Sequence, residues 1–244
     1  MTETELDIPT ADGAMNSFVV HPEEGGPHPV VLFYMDAHGL RDELRDMARR
    51  LAAAGYYVVV PNLYYRKSRD FWLKVRTPEA MVPMFELMNT LTNALVVRDT
   101  QALLRFVDAQ PQADASRIGA TGYCMSGPFV FAAAAAFPDR FRAIAAFHPA
   151  HMVTEQEDSP HRMTGRIRCE TYVGCAETDK WAPPETMATL EQAMKQGGMD
   201  YRLEWYPGAE HGFVFPRREG IYHPASAERH WERLLEMFGR RLKG

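Results

Sequence analysis

The chain has 244 residues, of which 46% are hydrophobic and 24% charged; these shares are close to globular averages and exclude a disordered or fibrous protein. Its 27 Lys and Arg against 32 Asp and Glu give a net charge of -5, and no basic run offers a face for nucleic acid. Three cysteines are too few for a disulfide framework. The start MTETELDIPT has neither a basic nor an apolar signal region. The longest apolar run, residues 129–137, falls well short of the ~20 residues that span a membrane. These features predict a cytoplasmic protein with reduced thiols. Nothing in the pattern specifies an oligomeric state.

Residues 3–8 and 17–21 read as short strands around a turn at Ala11-Asp12-Gly13. The apolar run 30–35 reads as a strand buried on both faces. Residues 42–54 follow as a helix, with Leu44, Met47, Ala48 and Leu51 at helical spacing and Gly55 as the stop. Residues 57–60 form the next buried strand, ended by Pro61. Residues 62–80 look irregular and rich in Tyr and Arg. A long amphipathic helix over 92–109 then presents Leu95, Val96, Leu103 and Val107. Strands are predicted at 117–121, 143–147, 168–173 and 201–206, with helices at 125–137, 184–196 and 225–242. Alternating strands and helices predict an α/β fold: a mostly parallel central sheet with helices on both faces. No linker divides the chain, so a single domain over 1–244 is expected, with excursions at 62–91, a candidate lid, and at 149–166.

The most informative stretch is Gly122-Tyr-Cys124-Met-Ser126-Gly127, entered from a strand and left by a helix. This is the nucleophile-elbow pattern, with Cys124 as the nucleophile and Ser126 in place of the last glycine. The turn is sharp and the strand and helix pass close on either side, so small residues must flank the nucleophile. An acid and then a histidine should follow in chain order. Asp179 lies past the strand at 168–173, and His211 lies in Pro207-Gly-Ala-Glu-His-Gly-Phe213. Glu177 competes with Asp179 for the acid's place. His211 would accept the thiol proton, and the acid would hold the imidazole tautomer.

These motifs together resemble the dienelactone hydrolase family of the α/β-hydrolase superfamily. The residues that carry the resemblance are Gly-Tyr-Cys-Met-Ser-Gly127, Thr-Asp-Lys-Trp-Ala-Pro183, Pro-Gly-Ala-Glu-His-Gly-Phe213, Tyr-Met-Asp-Ala-His-Gly-Leu40 and Val-Pro-Asn-Leu-Tyr-Tyr-Arg66, in order from about residue 30 onward. The resemblance implies an α/β-hydrolase fold and an ester- or lactone-cleaving hydrolase acting through Cys124, His211 and Asp179. It further implies an oxyanion hole from the Ala37 and Met125 amides, a carboxylate at Asp36 that gates the thiol, and a substrate-carboxylate contact from Arg66. His38, followed by Gly39, is a candidate for the oxyanion region and substrate contact or a plain loop histidine, and Tyr123 beside the nucleophile is a candidate substrate contact. The chain departs from the family pattern in several places. Asp36 stands for the usual Glu and Asn62 for Asp. Phe213, Val214 and Phe215 occupy the stretch where a second carboxylate-binding arginine is expected, and Arg217 and Arg218 come later.

Other residues admit two readings. His148 and His151 flank Pro149 at the C-terminal end of a parallel strand, the edge where open-sheet sites lie, or they are plain loop residues. Tyr64, Tyr65, Phe71 and Trp72 line a pocket or pack on the core. Cys169 and Cys175 read as core residues. No dinucleotide or phosphate-binding loop is visible, and the three-residue mechanism needs no metal, so no cofactor is expected. The expected partner is a small-molecule ester or lactone, with no nucleic acid and no membrane. Two alternatives are a thioesterase or acyltransferase using the same three residues, and a ligand-binding protein without catalysis.

Overall fold

The computed structural model describes every residue from Met1 to Gly244. The fold is α/β, built on an eight-stranded, mostly parallel sheet with helices. Two compact units divide the chain, Met1–Ser116 and Arg117–Gly244.

In the first unit, β1 (Thr2–Thr10) and β2 (Gly13–His21) make an antiparallel hairpin closed where Thr10 faces Gly13. β3 (His28–Tyr34) is buried along its whole length, as its unbroken apolar run requires. β4 (Tyr57–Pro61) runs parallel to β3 and antiparallel to β2, giving the order β1-β2-β4-β3. Between β3 and β4, α1 (Asp42–Ala53) buries Leu44, Met47, Ala48 and Leu51. Gly55 then turns the chain at φ 90°, a conformation that costs glycine little.

The stretch after β4 holds a helix that the sequence reading missed, α2 (Pro78–Met88), capped by the Thr77 hydroxyl. It carries Pro83 inside and buries only Met84, so no apolar stripe announced it. α3 (Asn93–Asp108) starts at its Thr92 cap and buries Val96, Leu103 and Val107, with Leu95 only partly covered.

The second unit takes over β5 (Ala113–Tyr123) and adds β6 (Phe141–Phe147), β7 (Glu170–Thr178) and β8 (Tyr201–Glu210), all parallel and in that order. A short 3-10 turn, Cys124–Ser126, joins β5 to α4 (Gly127–Ala136) with no intervening loop. All of α4 up to Ala135 is buried, and its alanines let it lie close to its neighbours. α5 (Pro184–Gln196) connects β7 to β8, and α6 (Pro224–Phe238) closes the chain before a last turn at Gly239–Lys243.

β7 runs five residues further than its sequence pattern predicts. Gly174 allows this, because a side chain there would stand 2.7 Å from Phe147 Cδ1. The extension brings the strand's end to Thr178, directly before Asp179. No single helix is long and apolar enough to cross a membrane.

Candidate active site

Three strand ends of the second unit carry the three candidate catalytic side chains. β5 delivers Cys124 into the turn at φ 56°, a left-handed conformation for a residue with a side chain. Such a residue costs about 1–3 kcal/mol and persists only where its surroundings fix it. Here they do. A Cβ on Gly122 would lie 2.5 Å from the Ser126 carbonyl oxygen, and one on Gly127 would lie 2.3 Å from Pro149 Cβ. The Cys124 carbonyl accepts the Ala150 N–H at 3.0 Å. Ser126, the departure from the glycine pattern, is fully buried at an ordinary φ of -89°. Cys124 itself is partly exposed, whereas Cys169 and Cys175 are buried. Burial raises both of those thiols, Cys169 to about 12, so they are poor nucleophiles.

His211 follows β8 and hydrogen-bonds through Nδ1 to Asp179 Oδ2 at 2.6 Å. The other Asp179 oxygen accepts the Trp181 N–H at 2.9 Å, so the carboxylate is held from both sides. Glu177, the competing acid, accepts the Gly208 N–H at 2.7 Å. Burial alone would lower the His211 pKa, but the neighbouring Cys124 charge and the Asp179 hydrogen bond outweigh it and push it up to about 9. Nε2 is buried and makes no closed hydrogen bond; contacts of this kind often tighten only with substrate present. The arrangement favours a proton on His211.

A second histidine, unassigned by the sequence reading, packs on the first. The ring of His148 meets that of His211 with centroids 4.9 Å apart at 68°. His148 has φ 38° and is fully buried. Its N–H donates to the Gly174 carbonyl at 2.7 Å, while both ring nitrogens lack a hydrogen-bond partner. Its place at the end of β6 was legible, but its ring contact was not. Next to His211 in the chain, Gly212 has no room for a side chain, because the buried Arg218 guanidinium, 4.2 Å from the Phe215 ring centroid, fills that space.

The remaining expected residues fare differently. Met125 follows Cys124 in the 3-10 turn and is buried. Tyr123 was expected to touch substrate; instead its side chain is fully buried and its hydroxyl bonds His230 Nε2 at 2.9 Å. Side chains alternate along a strand, so the residue before Cys124 turns into the core.

In the first unit, Asp36 is fully buried and accepts Arg41 Nη1 at 2.5 Å, while the same guanidinium holds Glu43 at 2.6 Å. Ala37 is buried, and its carbonyl accepts the Tyr64 hydroxyl at 2.9 Å. His38 is half-buried, its carbonyl accepting the Leu73 N–H at 2.9 Å. Arg66, expected to bind a substrate carboxylate, has its fork on a carboxylate of its own unit. It donates to both oxygens of buried Asp99 at 2.8 and 2.6 Å and to Asp12 at 2.8 Å. Tyr65 also donates to Asp99 at 2.9 Å. Tyr64 and Tyr65 are therefore packing residues, while Trp72 stays exposed.

The mostly parallel eight-stranded sheet with its helices is an α/β-hydrolase architecture. A match to the dienelactone hydrolase family spans residues 15–242, and the chain belongs to that family. A Synechocystis protein provisionally named carboxymethylenebutenolidase is 25% identical over 243 residues, covering 98% of this chain and 97% of its own. A Salmonella typhi protein with the same provisional name is 30% identical over 251 residues, covering 95% of this chain and 84% of its own. The crystal structure of a Klebsiella pneumoniae protein, provisionally described as a dienelactone hydrolase, superposes with a TM-score of 0.86 at 25% identity over 98% of both chains. The resemblance carried by five short motifs thus extends along nearly the whole sequence.

Proposed function

We propose that the protein hydrolyses carboxylic esters or lactones, dienelactone-like enol-lactones among them, through a covalent thioester on Cys124. The observation that carries this reading is the 2.6 Å bond between His211 and Asp179 in a unit that also holds Cys124 in a left-handed elbow. His211 takes the Cys124 thiol proton, the sulfur attacks the substrate carbonyl, and the oxyanion draws on the Met125 N–H beside it. The tetrahedral intermediate collapses, the carbon–oxygen bond breaks, and His211 gives its proton to the leaving oxygen. His211 then takes a proton from water, the hydroxide attacks the thioester, and acid and thiol are released. Asp179 keeps Nδ1 protonated throughout, so that Nε2 faces the chemistry.

The test is hydrolysis of carboxymethylene butenolide and of 4-nitrophenyl acetate by the wild type and Cys124→Ala, with mass spectrometry of the quenched enzyme. An acyl adduct on Cys124 and loss of turnover in the variant are expected. Equal turnover by the variant would remove Cys124 from the mechanism. Turnover of the neutral ester alone would assign the protein to uncharged substrates, consistent with the engagement of Arg66 by Asp99.

A further inference from the structure

Only three residues other than glycine have a left-handed backbone: Cys124, His148 and His151, at φ 56°, 38° and 57°. The first is the proposed nucleophile and the second packs on His211. His151 has no role in the mechanism above, yet it sits in the same kind of strained conformation, which clusters at functional sites. Its segment is fastened to the elbow. Pro149 fills the space beside Gly127, and the Ala150 N–H bonds the Cys124 carbonyl at 3.0 Å.

The exposed ring of His151 meets the half-buried ring of Trp181 with centroids 5.7 Å apart at 61°. Trp181 is fastened in turn to the acid, its backbone N–H donating to Asp179 Oδ1 at 2.9 Å. The Lys180 ammonium, 5.1 Å from the indole centroid, holds that ring further. One accessible aromatic pair therefore bridges the nucleophile's segment and the acid's segment. Crowding by neighbouring atoms and the His211 charge lower the His151 pKa from its ordinary value, although the residue stays open to solvent.

We infer that His151 and Trp181 form the recognition wall for the leaving-group side of the substrate, and that this wall selects a flat, unsaturated substituent such as an aryl or enol group. The side follows from the chemistry. The leaving oxygen must come to His211 for its proton, so whatever it carries lies against the aromatic groups around Asp179 and His211. The flatness follows from the rings, which favour stacked or edge-on partners over puckered ones. The inference rests on the proposed mechanism for the identity of the leaving side.

The test uses two unreactive amides with the same acetyl group, acetanilide with its flat ring and N-cyclohexylacetamide with its puckered one. Each is titrated for protection of Cys124 against iodoacetamide. Acetanilide is expected to protect at a concentration about fivefold lower in the wild type. Trp181→Ala and His151→Ala are expected to bring the two amides within about twofold of each other, and Trp181→Phe to keep most of the preference. With phenyl acetate as substrate, Trp181→Ala should raise KM about fivefold with little change in kcat. Equal protection by both amides in the wild type, or an unchanged ratio in both Ala variants, overturns the inference. Absence of ester turnover by the wild type, with the protection ratio intact, would sink the hydrolase reading and the assignment to the leaving side, and leave the preference of the two rings for a flat group standing.

Discussion

The rings of His148 and His211 stand edge to face, 4.9 Å between centroids, yet their pKa values are displaced in opposite directions. His148 is fully buried among Tyr123, Phe213 and Phe215. Burial first, then the charges of His211, Arg218 and His230, hold its pKa well below 6.5.

A histidine kept neutral in the fold but protonated when unfolded weakens the fold as pH drops. Below pH 6.5 the unfolded chain takes a proton at this position and the native chain does not, so stability falls by up to ~1.4 kcal/mol per pH unit. His148→Asn removes the titration and suits a left-handed backbone. Urea unfolding between pH 6.5 and 5 is expected to show a shallower loss in this variant than in the wild type. His151 and His161, also lowered, remain in both proteins. Parallel slopes would show that His148 does titrate in the fold.

His211 has the opposite sign. Its native pKa of about 9 exceeds the ordinary 6.5, so its contribution to stability is fully present below pH 6.5 and is lost as pH rises through about 9. Cys124→Ala and Asp179→Asn each remove a group that raises it, and each should lower the imidazole midpoint, read by NMR, by roughly 1.5 units. With both removed, burial alone remains and the midpoint should drop under 6.5. An unchanged midpoint in Cys124→Ala would mean that thiol and imidazole do not share a proton.

The two neighbouring acids should separate cleanly. Asp179→Asn keeps the shape of the site but loses the charge that fixes the imidazole, and kcat should fall roughly 10³–10⁴-fold. Glu177→Gln can still accept the Gly208 N–H, so turnover should stay within about twofold. Comparable losses in both would return the assignment of the acid to doubt.

Gly122→Ala should damage the elbow directly. The new methyl would press on the Ser126 carbonyl at 2.5 Å and Val130 Cγ1 at 2.9 Å, costing about 1–3 kcal/mol and moving Cys124. Gly165→Ala, with nothing within 4 Å of the new atom, serves as the control. Urea midpoints and 4-nitrophenyl acetate turnover check both. A Gly122→Ala protein as stable and active as the control would contradict the tight turn.

Periodic elements were legible in the sequence. α5 has the predicted bounds, Pro184–Gln196, because an apolar repeat and flanking prolines and glycines agree there. α2 was not legible, since a helix that buries only Met84 leaves no stripe to read. β8 continues to Glu210 through Pro207 and Gly208, residues that usually end a strand. The order of Cys124, Asp179 and His211 was readable because strand ends deliver loops in chain order. What those loops touch was not. Arg66 meets Asp99 across 33 residues, and a sequence does not display which of many acids a guanidinium will find. Tyr123 was misplaced because a motif names neighbours along the chain, whereas the pleat sends them to opposite faces.

The three left-handed residues also bear on how this chain would evolve. Positions 148 and 151 hold histidine where glycine or asparagine would be more comfortable. A library selected only for survival at raised temperature should therefore drift toward glycine or asparagine at both. A library selected for turnover should hold the histidines against that drift. Heat tolerance and substrate preference would thus compete at the same codons.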